Sequence, residues 1–159
     1  MTEPALPRRD SPCTNLDPGP AAPQVASEEQ IAALVDRFYA LSLADDLLGP
    51  MFRATIADFP AHYRIVQDFW SHALLGTDRY QRGTPYSHHG HLKVEEVHFD
   101  RWTAAFTAAA HETLPPAAAM LALQRAAHMT MSFKAGMLPL PSPASGPTSR
   151  FPRQDHKAE

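Results

Sequence analysis

The stretch SEEQIAALVDRFYALSLADDLLGP, Ser27 to Pro50, sets the terms on which the rest of the chain is read. Ser27 followed by Gln30 is a capping-box pattern, in which each side chain satisfies a backbone N–H left free by the other end of the first turn. Ile31, Leu34, Val35, Phe38 and Leu41 then recur at helical spacing and give one buried stripe. Tyr39 sits beside that stripe. Taken alone, it is an amphipathic residue at the edge of a core. Leu48-Gly49-Pro50 is expected to stop the helix, because glycine closes helices and proline cannot continue them.

The same period runs outward from there. A second helix is expected near Phe59-Pro60, with Pro60 in its first turn, where the missing N–H costs nothing. His62, Val66, Phe69 and Ala73 share its inner face. The segment LLGTDRYQRGTPYSHHGH carries three glycines and a proline and is expected to be loop with at most a short helix. From Glu95 a third helix puts Phe99, Trp102, Phe106 and Ala109 on one side. A last helix begins near Pro115-Pro116 and runs through Leu121, Ala127 and Met131 to a stop at Gly136. There is little strand alternation, so the expected fold class is all-α. Of the sixteen prolines, six fall in residues 1–26 and five in residues 138–159. Those ends are poor in large apolar residues and are expected to be disordered tails flanking a folded unit over residues 27–137.

The totals exclude several classes. A chain of 159 residues gives one domain, large enough for a core and one small-molecule pocket. A net charge of -3 argues against a nucleic-acid or anionic-membrane surface. Cys13 is the single cysteine, which rules out an internal disulfide and thiolate-based zinc sites. No apolar run suits a signal peptide or a bilayer span, so the expected location is the cytoplasm.

The chemistry concentrates in YSHHGHLKVEEVHFDRW, Tyr86 to Trp102, which holds four of the nine histidines. His89 and His91 form a His-x-His pair, but on a helix two such residues point to different sides. A zinc site would need a third ligand from His88, His98 or a distant carboxylate. A solvated loop without metal is the simpler account. On its own helix His62 reads first as a core histidine satisfied by one hydrogen bond, and Trp102 reads first as core. A haem accounts for more. Its iron already has four porphyrin nitrogens, so the protein supplies one histidine, an apolar slot between helices and a few donors on the far side. Tyr39, His62 and Trp102 offer such donors from three helices.

These residues and their order resemble the truncated haemoglobins, specifically group III. LVDRFYALSLADDLLGPMF looks like that family's first core segment, and HYRIVQDFWSHALLG like its distal helix. YQRGTPYSHHGHLKVEEVHFDRW looks like the proximal segment with its His-Phe-x-x-Trp element. In the family the iron-binding histidine lies ten residues before the Phe of that element and three before a Leu. Counting back from Phe99 and from Leu92, both rulers select His89. The resemblance implies a two-over-two helical sandwich around haem b (iron protoporphyrin IX), with His89 as the axial ligand. Tyr39 and Trp102 would donate to bound ligand, and His62 would gate the distal side. Phe52, Val66 and Phe69 would pack on the porphyrin, and Arg64 is a candidate for a propionate by charge alone. The chain departs from the family in carrying Leu92-Lys93-Val94 where Leu-Pro-Leu is usual, which loosens the proximal loop, and Phe59 where a Trp is usual.

The implied activity is binding of O₂ or another diatomic gas. Slow release would suit sensing, scavenging or redox chemistry better than bulk oxygen transport. Peroxidase-like turnover with peroxide, or nitric oxide dioxygenase chemistry with an unidentified reductase, is the alternative on the same scaffold. A haem-free helical interaction module is a third reading and a zinc-binding helical protein a fourth. Nothing in the pattern demands more than a monomer or weak dimer.

Overall fold

A computed structural model describes residues 25–139; the expected tails over 1–24 and 140–159 lie outside the described residues. Six helices and no strand occur among the described residues, as the all-α reading requires. They are α1 (Glu28–Ala44), α2 (Leu48–Thr55), α3 (Phe59–Leu75), α4 (Pro85–His89), α5 (Glu96–Thr113) and α6 (Pro116–Met137).

The capping box forms at α1: Ser27 Oγ accepts from the Gln30 N–H at 3.2 Å, and Gln30 Oε1 accepts from the Ser27 N–H at 2.9 Å. Helix α1 buries Ile31, Leu34, Val35, Phe38, Tyr39 and Ser42. It is the central element, packed on α2, α3 and α5, while α6 packs on α5 and α3. The four long helices thus form a closed ring around one aromatic core. Phe106 is stacked between Trp102, at 5.2 Å and 4°, and Trp70, at 4.8 Å and 22°, and meets Phe38 edge-on at 5.8 Å.

Two expectations about helix ends differ from the structure. Helix α1 ends at Ala44, before Leu48-Gly49-Pro50, and those three residues open α2. The punctuation comes from Asp45. Its Oδ1 accepts from the N–H groups of both Leu47 and Leu48 at 2.9 Å, which ends one helix and seeds the next. Proline is tolerated at Pro50 because a first turn has no N–H partner to lose. Gly49 is required by a close approach, since a Cβ there would sit 2.6 Å from the Leu43 carbonyl oxygen.

Helix α6 also differs. Gly136 lies inside it, and Leu121, Ala127 and Met131 face outward. The buried face is Ala118, Ala119, Ala122 and Ala126. Small residues there let the α6 backbone approach the core closely.

Helix α3 starts as expected, with Pro60 in its first turn. Asp58 caps it by accepting from the Ala61 N–H at 3.0 Å. It ends at Gly76, whose φ of 70° is the left-handed conformation that glycine adopts without a Cβ penalty. No helix among the described residues is long and apolar enough to cross a membrane.

Candidate functional site

Helices α1, α2, α3, α5 and α6 and the segment around α4 enclose a cavity of about 510 Å³ with largely apolar walls. That volume lies within the roughly 300–1,000 Å³ usual for small-molecule and cofactor sites. Tyr39, Phe52, His62, Val66, Phe69, His89 and Trp102 all line it. Seven residues separated widely in sequence converge because the 3.6-residue period turns one face of each helix inward.

Arg64 does not line the cavity and is exposed. It is two residues beyond His62, and two helical steps rotate a side chain by roughly 200° to the opposite face. The cationic side chain at the cavity is Arg82, from the α3–α4 loop. Tyr80, Ile65 and Phe133 also line the wall and were not singled out from sequence. Ile65 was legible, being one turn on from His62. Tyr80 and Arg82 sit in a loop without period, so no spacing argument reaches them.

Within this lining, the Tyr39 hydroxyl and His62 Nε2 are 2.7 Å apart. Tyr39 is 4 % exposed, and burial, with Tyr63 adding to it, pushes its phenol pKa well above the ordinary 10. It therefore keeps its proton at any working pH and remains a hydrogen-bond donor. Burial, with smaller electrostatic contributions from His89 and Arg82, lowers the His62 pKa below 6.5, so its imidazole is neutral near pH 7. Trp102 lines the same cavity from α5.

The sign of the His62 effect is fixed. The unfolded chain takes up a proton near pH 6.5, and the folded chain resists it. The neutral state's contribution is thus complete above pH 6.5 and is lost as pH falls through the lowered folded value. Thermal unfolding of the apoprotein from pH 7.5 to 5 should show wild type losing more stability than His62→Gln. Parallel pH profiles would refute this.

The same lining also includes the histidine cluster. His89 Nδ1 donates to the Pro85 carbonyl at 2.7 Å. A carbonyl only accepts, so the ring proton is on Nδ1 and the Nε2 lone pair is free. The ring is partly buried and lies 5.6 Å from the Phe133 ring, tilted by 34°. His88 is exposed and spends its Nε2 proton on the Arg82 carbonyl at 2.8 Å. His98 Nδ1 accepts from the Glu95 N–H at 3.0 Å as part of the α5 capping box. His91 lines the cavity but is exposed. No group of three or more His, Cys, Asp or Glu suited to a metal ion occurs among the described residues, which leaves the zinc reading without a ligand set.

Tyr86 anchors α4 on α6. Its ring lies against Gly136 of α6 and meets Phe133 edge-on at 5.8 Å. A Cβ at Gly136 would come within 2.6 Å of a Tyr86 ring carbon. Gly136→Ala should therefore destabilise the apoprotein by about 1–3 kcal/mol in urea denaturation. At an unhindered helical glycine the same change would instead gain up to about 1 kcal/mol. A stabilised variant would show that α4 is not held at this notch.

A family model described as bacterial-like globin matches residues 23–134. Among solved structures, a group III truncated hemoglobin from Campylobacter jejuni is similar at 26% sequence identity and a TM-score of 0.63. The match covers 70% of this chain and 91% of that one. No curated protein matches this chain at a significant level.

Proposed function

The chain belongs to the bacterial-like globin family, and from that premise we propose that it holds one haem b in the described cavity and binds O₂ or another diatomic gas there. The observation that carries this reading is the His89 ring, with Nδ1 tied to the Pro85 carbonyl and Nε2 left as a lone pair at the cavity. This is the arrangement by which proteins orient a histidine for iron, with the outer hydrogen bond raising the ligand's basicity. The apolar walls suit a porphyrin face, supplied by Phe52, Val66 and Phe69. Arg82 takes the place of Arg64 as the partner for a propionate, because it is the arginine at the cavity.

When bound, haem supplies an iron that accepts a diatomic ligand. The chain's own residues then govern affinity. With its proton on Nε2, His62 donates to the Tyr39 oxygen and leaves the phenolic hydrogen free for a guest. With the proton on Nδ1, His62 accepts from Tyr39 and ties that hydrogen up. A guest carrying partial negative charge selects the first tautomer. Trp102 adds a second donor from α5.

The test is an absorption spectrum of the purified protein, as isolated and after haemin addition, then with dithionite and CO. A Soret band that shifts with CO supports the reading. No Soret band after haemin addition would overturn it and leave the helical interaction module as the working account.

A further inference from the structure

Tyr39 forms part of the cavity wall and is also one half of a two-ring stack. The other half is Tyr63, the next residue on α3 after His62. The two rings lie 4.5 Å apart at 23°. Tyr63 does not line the cavity and is partly exposed, so the pair spans the wall from inside to outside. The Tyr63 hydroxyl has no hydrogen-bond partner among the described residues, so packing alone would be served as well by phenylalanine. Two easily oxidised rings are thus in direct contact. The inner one has a base at hydrogen-bond distance, His62 Nε2 at 2.7 Å, and the outer one has solvent.

We propose that Tyr39 and Tyr63 form an electron relay by which small phenolic reductants at the protein surface are oxidised at the expense of a hydroperoxide in the cavity. This rests on the haem reading above, since the cofactor carries out the peroxide chemistry. The O–O bond of the hydroperoxide breaks, and two electrons and two protons convert it to an alcohol and water. Two phenols each lose one electron and one proton. In each one-electron step, with His62 in the tautomer whose proton is on Nδ1, Tyr39 gives its electron to the cavity and its phenolic proton to His62 Nε2. Tyr63 then returns an electron to Tyr39, His62 returns the proton, and the proton of Tyr63 leaves to water. The external phenol restores both to Tyr63. Protons released to water equal those taken up in the cavity.

The aromatic set on the other wall is a poorer route. Trp102 and Trp70 are separated by Phe106, which resists oxidation, and Trp70 is 3% exposed. Its continuation through Phe69 leads to Tyr80, back at the cavity wall.

The experiment mixes the ferric haem-loaded protein with stoichiometric hydrogen peroxide and follows it by freeze-quench electron paramagnetic resonance. Spin-trap adducts are mapped by mass spectrometry, and 2-methoxyphenol oxidation is measured at steady state. Wild type should show a tyrosyl signal with the adduct on Tyr63. In Tyr63→Phe the adduct should vanish and kcat/KM for 2-methoxyphenol should fall by about tenfold or more, with the Soret band and CO binding unchanged. Equal turnover in Tyr63→Phe with the Soret band intact, or an adduct confined to Trp102, Trp70 or Tyr80, would overturn the relay while leaving the haem reading standing. A chain that takes up no haem fails at the Soret band, and both readings fall together.

Discussion

His89→Ala should lower haem affinity by more than roughly 100-fold, beyond the 10- to 100-fold that losing an outer hydrogen-bond partner costs a metal ligand. The Soret band of the reconstituted protein should collapse or move to a different ligation spectrum, and added imidazole should restore it by entering the space the side chain leaves. His88→Ala is the control. Its ring is exposed and bonded to the Arg82 carbonyl, so its removal should leave the spectrum unchanged. The two variants differ by one position in sequence and are therefore matched in helix propensity and loop context. If His88→Ala loses the band and His89→Ala keeps it, the family ruler has slipped by one residue. If both keep it, the ligand lies elsewhere, and His91 or His98 becomes the candidate.

Tyr39→Phe should raise the O₂ dissociation rate by roughly 10- to 100-fold, the kinetic equivalent of losing a hydrogen bond of about 1.5–3 kcal/mol to a partly charged acceptor. Stopped-flow displacement of O₂ by CO measures it. The prediction follows from two features of the site. Burial keeps Tyr39 protonated, so it donates throughout the working pH range. His62 is neutral and 2.7 Å away, so it can hold the phenol oxygen while the hydrogen turns to the guest. The phenylalanine ring preserves the packing against Phe38 and Tyr63, at 5.0 and 4.5 Å in the wild type, which isolates the hydroxyl. CO carries less negative charge than bound O₂ and should respond less. An unchanged O₂ rate would mean that Trp102 alone makes the stabilising contact, and Trp102→Phe would then carry the effect.

Some of this was written along the chain. Ser27 and Gln30 close α1 as their spacing requires, and Pro60 falls within the first turn of α3. The stripe from Ile31 to Phe38 is buried throughout. These are local facts: a cap needs two residues three apart, and a stripe needs only a period. The boundary at Asp45 was missed because Gly49-Pro50 reads as a stop, whereas a single carboxylate accepting from two N–H groups restarts the helix first. The outward turn of Leu121 and Met131 was missed for a different reason. Helix α6 is apolar on more than one face, and the close approach of its alanines to the core selects the face that is buried.

The sequence by itself determined the four long helices, their order and the family resemblance, because caps, periods and motif separations are properties of neighbouring residues. It also put His62 and Trp102 on inward faces and Tyr39 beside the buried stripe of its helix. Only the tertiary structure decided which polar groups meet. The Tyr39–His62 pair joins α1 to α3 across 23 positions, and Tyr63 reaches Tyr39 only because those two helices cross there. Arg82 arrives at the cavity on a loop with no period, while Arg64 is turned away by the pitch of its own helix. The His89 tautomer is likewise set by a carbonyl that the short helix α4 presents four residues back. Periodicity fixes which side of an element a residue occupies. The distance between residues on different elements depends on how those elements pack, and hydrogen bonding is decided by that distance.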